Sequence, residues 1–427
     1  MFRKVLLTLL AALAIFGPAI ARQPDNQARP PATPEFWGMV VRDPLYEWGT
    51  NPAAPNDINR AFIDAMLDNL AAAGVRWTRF EFHASWDGSA FGALNLAQAD
   101  YFVAGARSRG IKVLALLGTD LLKGPQAQVA RFDGGTVSGE IPAANPDATY
   151  CAPDPIGCGV NQYMETYIVR ARQIAAHYRG RIDAYELFNE QNFYFALRDE
   201  TAGAPRQQDE MNPLHVARVV TKIYRILRAT DQDPTPIVLG GLHPMASRES
   251  GRTDRQYLAA IYASEPFRGY KAANGRWPVD GIGYHPYPAE MARLQSDNDF
   301  LHRVGPRLDQ LLGVLRADDP AAKLWITEVG TRGDPASPAD LARQADFLRA
   351  IASILYARRA DIATFFWFKY EDFPPASESW GVVRIPFDAN GRYDVNGAVA
   401  LYKPSFQAYS SLAHGMGPQV YLPLLGR

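Results

Sequence analysis

Between residues 36 and 370 the chain alternates short, nearly continuous apolar runs with longer stretches whose apolar residues recur every three or four positions. Eight runs read as strands: "FWGMVVRD" (36–43), "VRWTRFEF" (75–82), "IKVLALLG" (111–118), "IDAYELFN" (182–189), "PIVLGGL" (236–242), "VDGIGYHPY" (279–287), "LWITEV" (324–329) and "TFFWFKY" (364–370). Runs apolar on both faces are expected of parallel strands covered by helices. The stretches between them read as helices. Asn56 can cap one whose Ile58, Phe62, Met66 and Leu70 fall at four-residue spacing before the stop at Gly74. Ser337, with Pro338 next and Asp340 three on, opens another over 337–357, and "KPSFQAYSSLAHG" (403–415) closes the series. Eight strands alternating with helices, without an internal repeat or mid-chain linker, predict an α/β fold with a single (β/α)8 barrel over 35–415. An open doubly wound sheet would bring a glycine-rich phosphate loop after its first strand, and "VVRDPLYEWG" is nothing like one.

The ends of the chain break this alternation. Arg3 and Lys4 precede the apolar run "VLLTLLAALAIF", and "AIA" ends at Ala21, so residues 1–21 read as a signal peptide and the protein as secreted, extracellular or periplasmic. The run is shorter than the roughly 20 residues that span a bilayer, which leaves anchoring as the alternative. Residues 22–34 read as a proline-rich linker and 416–427 as a C-terminal tail. In an oxidising compartment Cys151 and Cys158, the two cysteines of the chain, are expected to form a disulfide. They lie in a long segment, about 119–160, which the reading makes one wall of a cleft. With 44 basic against 45 acidic side chains and no basic run, the chain offers nothing to a phosphate backbone, so nucleic acid is not an expected partner.

Barrels of this kind carry their chemistry at the C-terminal ends of the strands. There the sequence places Asn189 and Glu190 on strand four, Glu328 on strand seven, His285 and Tyr287 on strand six and Trp367 on strand eight. Strand two carries Arg79, with Trp86 just beyond. Two carboxylates across a cleft suit glycoside hydrolysis, with retention at a separation of about 5 Å and inversion at roughly 6.5–9.5 Å. Arg79 could hold Glu328 ionised, or pair structurally with Glu81 or Glu186. The acid must keep a proton near neutrality, so its pKa is expected to be raised by its apolar surroundings and by the second carboxylate. Trp86 and Trp367 offer flat faces to a sugar. Two other readings stay open. One is a non-catalytic carbohydrate-binding barrel. The other is a metal-dependent hydrolase using His83, His243 and His285, although no H-x-H or H-E-x-x-H pair occurs. The two-carboxylate reading needs no metal or other cofactor.

"YELFNEQN" and "WITEVG" resemble the acid/base and nucleophile strands of clan A glycoside hydrolases, and "FNEQN" with Glu186 is similar to the family 39 pattern. Phe188 and Gln191 stand where that pattern has Trp and Pro. The resemblance implies a retaining enzyme acting on an oligo- or polysaccharide, preferably β-linked. It makes Glu190 the acid/base and Glu328 the nucleophile. Asn189 would bind the sugar 2-hydroxyl, Tyr287 would hydrogen-bond the nucleophile, and Trp367 would floor the subsite, with Arg79 and His285 around them.

Overall fold

Eight parallel strands close into a barrel, each hydrogen-bonded to its sequence neighbours and the last to the first. They are β1 (Trp37–Val40), β2 (Trp77–Glu81), β3 (Lys112–Leu117), β4 (Ala184–Leu187), β5 (Ile237–Leu242), β6 (Gly281–Tyr284), β7 (Lys323–Val329) and β8 (Ile362–Trp367). The computed structural model describes residues 35–41, 58–85, 92–122, 162–193, 210–244, 252–287, 297–374, 378–389 and 393–415. All of them belong to one unit, Ala32–Arg427. Trp86, Cys151 and Cys158, residues 123–160 of the expected cleft wall, and the segments 1–21, 22–34 and 416–427 read as signal, linker and tail lie outside the described residues.

Helices fill every crossover: α1 (Arg60–Ala72), α2 (Ala97–Ser108), α3 (Gln162–His177), α4 (Pro213–Arg225), then α5 (Asp254–Ala263) and α6 (Glu265–Asn274) between β5 and β6. α7 (Asp297–Asp318), α8 (Pro338–Tyr356) and α9 (Pro404–Ala413) complete the series. The (β/α)8 barrel expected from the sequence is the observed fold. The cap of α1 is Asn59, whose Oδ1 accepts the Phe62 N–H at 3.3 Å; Asn56 lies outside the described residues. Ser337 caps α8 by accepting the Asp340 N–H at 3.2 Å, with Pro338 in the first turn where a missing N–H costs nothing. Among the described residues no helix is long and apolar enough to cross a membrane.

Side-chain alternation along the strands separates two cores. One lies between strands and helices and contains most of the buried apolar residues. The other is the barrel plug of Val40, Trp77, Leu114, Ala184, Val238, Trp325 and Phe366. Two residues further along β2, β4 and β7 the same inward face presents Arg79, Glu186 and Thr327, all buried. Apolar packing thus fills the lower barrel, and the next layer up is polar.

Candidate active site

Local backbone irregularities aim the site residues. Between Phe365/Ile326 and Trp367/Val329, β7 advances three residues against two on β8. Such a bulge lets two consecutive residues, Thr327 and Glu328, both reach the barrel interior. β5 likewise advances three residues against two on β6 between Leu239/Ile282 and Leu242/Tyr284, around Gly240 and Gly241. A Cβ on Gly241 would stand 1.9 Å from His285 Nε2, so only glycine leaves room for that imidazole. Past the end of β4 the chain takes positive φ at Phe188 (71°) and Glu190 (49°), a conformation costly for non-glycine residues that re-aims the Asn189-Glu190 pair. The Glu190 N–H is held by the Gly241 carbonyl at 2.9 Å.

Arg79 is the hub. Its Nε donates to Glu186 Oε2 at 2.5 Å, one Nη to Glu328 Oε1 at 2.6 Å and the other to Asn189 Oδ1 at 2.9 Å. The two pairings that the sequence left as alternatives, structural with Glu186 and functional with Glu328, coexist on one guanidinium. Burial opposes its charge, but the Glu186 and Glu328 carboxylates outweigh burial and push its pKa up. Glu81 faces elsewhere, 3.1 Å from His83. Glu328 also accepts from the Tyr287 hydroxyl at 2.8 Å. Burial first, then the adjacent carboxylate, raises the Tyr287 pKa well above its ordinary value, so this phenol stays a donor.

Glu190 Oε1 lies 3.0 Å from His285 Nδ1 and 3.2 Å from His243 Nδ1. Here the structure corrects the sequence reading. Burial pushes the Glu190 pKa up, as expected, but the His243 and His285 imidazoles set against its Oε1 outweigh burial and hold this carboxyl below the usual range. One ligand atom from each of Glu190, His285 and Glu328 lies within 4.8 Å of the others. Glu190 and Glu328 keep 23% and 12% of their side-chain surface exposed, so both can meet a ligand from the open end. His83 sits apart, against Glu81 and Asp120, so the three histidines do not gather on one point.

The structure differs from the sequence reading at Trp367. Its ring is fully buried on the helix side, 6.2 Å from Phe347 of α8. Strand parity is the reason: Phe366 belongs to the barrel plug, so Trp367 must point outward and Phe368 inward. Full burial of so large a ring makes Trp367 a stabilising core residue, worth about 3 kcal/mol. The rings beside the carboxylates are Phe368, 6.1 Å from Tyr287, and Trp380, 5.7 Å from Tyr287 and 5.8 Å from Phe368. Trp380 is partly exposed and donates its indole N–H to Glu378 at 2.8 Å, while the Arg332 guanidinium lies 5.0 Å from its ring centre. Trp380 stands in an irregular segment after β8, where no periodicity signals it. Thr327, two residues beyond the plug residue Trp325, had an alternation signal, but only the bulge explains why Glu328 joins it.

No protein-family model matches the sequence, and no curated protein does. Solved structures do. A family 39 glycoside hydrolase from Bacteroides cellulosilyticus WH2 superposes with a TM-score of 0.51 at 16% identity over 90% of this chain; the chain spans 65% of that protein's length. A β-glucosidase from Exiguobacterium marinum gives 0.55 at 14% identity, covering 89% of this chain and 98% of its own. An endo-β-1,4-mannanase from Thermotoga petrophila gives 0.54 at 16% identity, covering 90% and 77%. At such identities the likeness is one of architecture alone: this chain shares the (β/α)8 fold of these three glycoside hydrolases.

Proposed function

We propose that the protein is a retaining glycoside hydrolase, with Glu328 as nucleophile and Glu190 as acid/base. The carrying observation is the closeness of the two carboxylates, an oxygen of each lying within 4.8 Å of the other, which supports retention, where the two groups stand roughly 5–5.5 Å apart. Glu328 Oε2 would attack the anomeric carbon as the glycosidic C–O bond breaks, with a proton from Glu190 going to the leaving oxygen. Water would then displace Glu328, giving its proton to Glu190. Arg79 and Tyr287, both donating to Glu328, hold the nucleophile in orientation through charge-assisted hydrogen bonds. The β-linkage preference rests on the sequence resemblance and on the β-glycosidases among the similar folds. Export rests on the apolar run after Arg3 and Lys4 and the small residues that end at Ala21.

Glu190→Ala tests the assignment on an aryl β-glycoside panel. Turnover should fall by about 10²–10⁴-fold, the usual weight of general acid–base catalysis. Azide, which needs no general base, should restore turnover and give a glycosyl azide of retained configuration. No rescue, or an inverted product, would sink the double displacement.

In this reading Phe368 and Trp380 form the apolar wall against which the sugar C–H surface rests, next to the nucleophile through Tyr287. Trp380→Ala should raise KM by roughly tenfold, equivalent to ~1.4 kcal/mol of stacking, with a smaller change in kcat. An unchanged KM across mono- and oligosaccharide substrates would remove Trp380 from the wall.

A further inference from the structure

Glu186 is the carboxylate partner of Arg79, so it only accepts; Oε1 takes the Gly241 N–H at 2.9 Å and the Thr327 hydroxyl at 2.8 Å. A hydroxyl has one proton. Were Thr327 to aim it at His285 instead, two oxygen lone pairs would face each other in a buried site. Thr327 Oγ1 must therefore accept from His285 Nε2, 2.9 Å away, and Nε2 carries a hydrogen. The neutral imidazole then turns a bare lone pair on Nδ1 toward Glu190 Oε1 at 3.0 Å. That contact is attractive only if one proton lies in it, on either partner.

We infer that Thr327 is a positioning residue that fixes the tautomer of His285, so that His285 and Glu190 together hold one proton, the proton that acid/base catalysis spends and regains. Its use in turnover rests on the glycosidase reading; its existence rests on the hydrogen-bond chain. The pair also explains how Glu190 can lie below the ordinary carboxylate range and still serve as acid: the proton is kept by two groups, not one. Once it has gone to the leaving oxygen, Glu190 and the Nδ1 lone pair repel, which favours recovery of a proton from the attacking water. The surrounding charged and titratable groups are Arg79 on β2, Glu186 on β4, His243 after β5, Tyr287 after β6 and Glu328 on β7. His243 cannot replace the shared proton, because it lies against the oxygen of Glu190 and leaves the Nδ1 lone pair of His285 unmatched. Glu328 Oε2, 3.9 Å from His285 Nδ1, favours keeping the proton in place.

The test combines 15N spectra of histidine-labelled protein with pH profiles of kcat/KM, for wild type, Thr327→Val and Thr327→Ser. In the wild type, His285 should carry hydrogen on Nε2, and a single further proton should lie between its Nδ1 and Glu190 Oε1. Thr327→Val frees the ring to adopt the Nδ1–H tautomer, which satisfies an ionised Glu190 without an extra proton. Its basic limb should therefore fall by about one pH unit, tenfold in rate above the midpoint. Thr327→Ser should restore both the tautomer and the limb. A wild-type His285 with its neutral hydrogen on Nδ1, or a valine variant with an unchanged tautomer and limb, would overturn the inference. The spectra read the tautomer without turnover, so an inactive protein would undo the glycosidase reading and leave this one standing. Should the valine variant not fold, the wild-type spectrum decides alone.

Discussion

Glu328→Gln is expected to lose turnover by on the order of 10⁶-fold, the scale set by removing a covalent nucleophile from an otherwise intact site. The amide matches the carboxylate in shape. Its oxygen can still accept from Arg79 or Tyr287, which lie 2.6 and 2.8 Å from the two carboxylate oxygens. The fold should therefore survive, and substrate should still bind. What disappears is the bond between Glu328 and the anomeric carbon. Mass spectrometry after brief exposure to an activated, slowly released aryl glycoside should find a glycosyl adduct on the Glu328 peptide of the wild type and none on the variant. Activity within tenfold of wild type would show that Glu328 is not the nucleophile.

Arg79→Met should have the largest effect on stability. It leaves Glu186, fully buried, without its counter-ion, and removes the charge that separates Glu186 from Glu328. Breaking a buried pair from one side costs about 3–5 kcal/mol, because the stranded carboxylate keeps its desolvation penalty. Thermal or denaturant unfolding should register that loss. Adding Glu186→Gln should recover more than half of it, since a neutral amide still accepts from Gly241 and Thr327 through its oxygen. If the double variant were no more stable than Arg79→Met, the cost would come from packing around the guanidinium stem and not from a buried charge.

Arg79 and Trp367 mark the boundary between what sequence pattern reaches and what it does not. Arg79 in an apolar strand demands a partner, and the sequence offered Glu81, Glu186 and Glu328; choosing among them needs strand parity and the closure of the barrel. Glu81 turns toward His83, while Glu186 and Glu328 share the guanidinium. Trp367 shows the opposite failure. A strand-end tryptophan suggests a sugar platform, but alternation from Phe366 sends it to the helices and gives the inward place to Phe368. The direction of the Glu190 pKa was likewise out of reach, because it depends on two histidine nitrogens contributed by other strands.

Patterning along the chain already specified the eight-strand alternation, the Ser337 cap with Pro338 behind it, and the arrival of Asn189, Glu190, His285, Tyr287 and Glu328 at strand ends. These follow from period-two and period-3.6 patterning and from local backbone chemistry, which act over a few residues. Which of those groups touch is settled by long-range contacts: the bulge that turns Thr327 and Glu328 inward together, the Gly241 space filled by His285, and the shared guanidinium of Arg79. Those contacts join residues up to 249 positions apart. Such pairings are fixed by barrel closure and by the cost of leaving buried charge unmatched, and neither is visible in a local window.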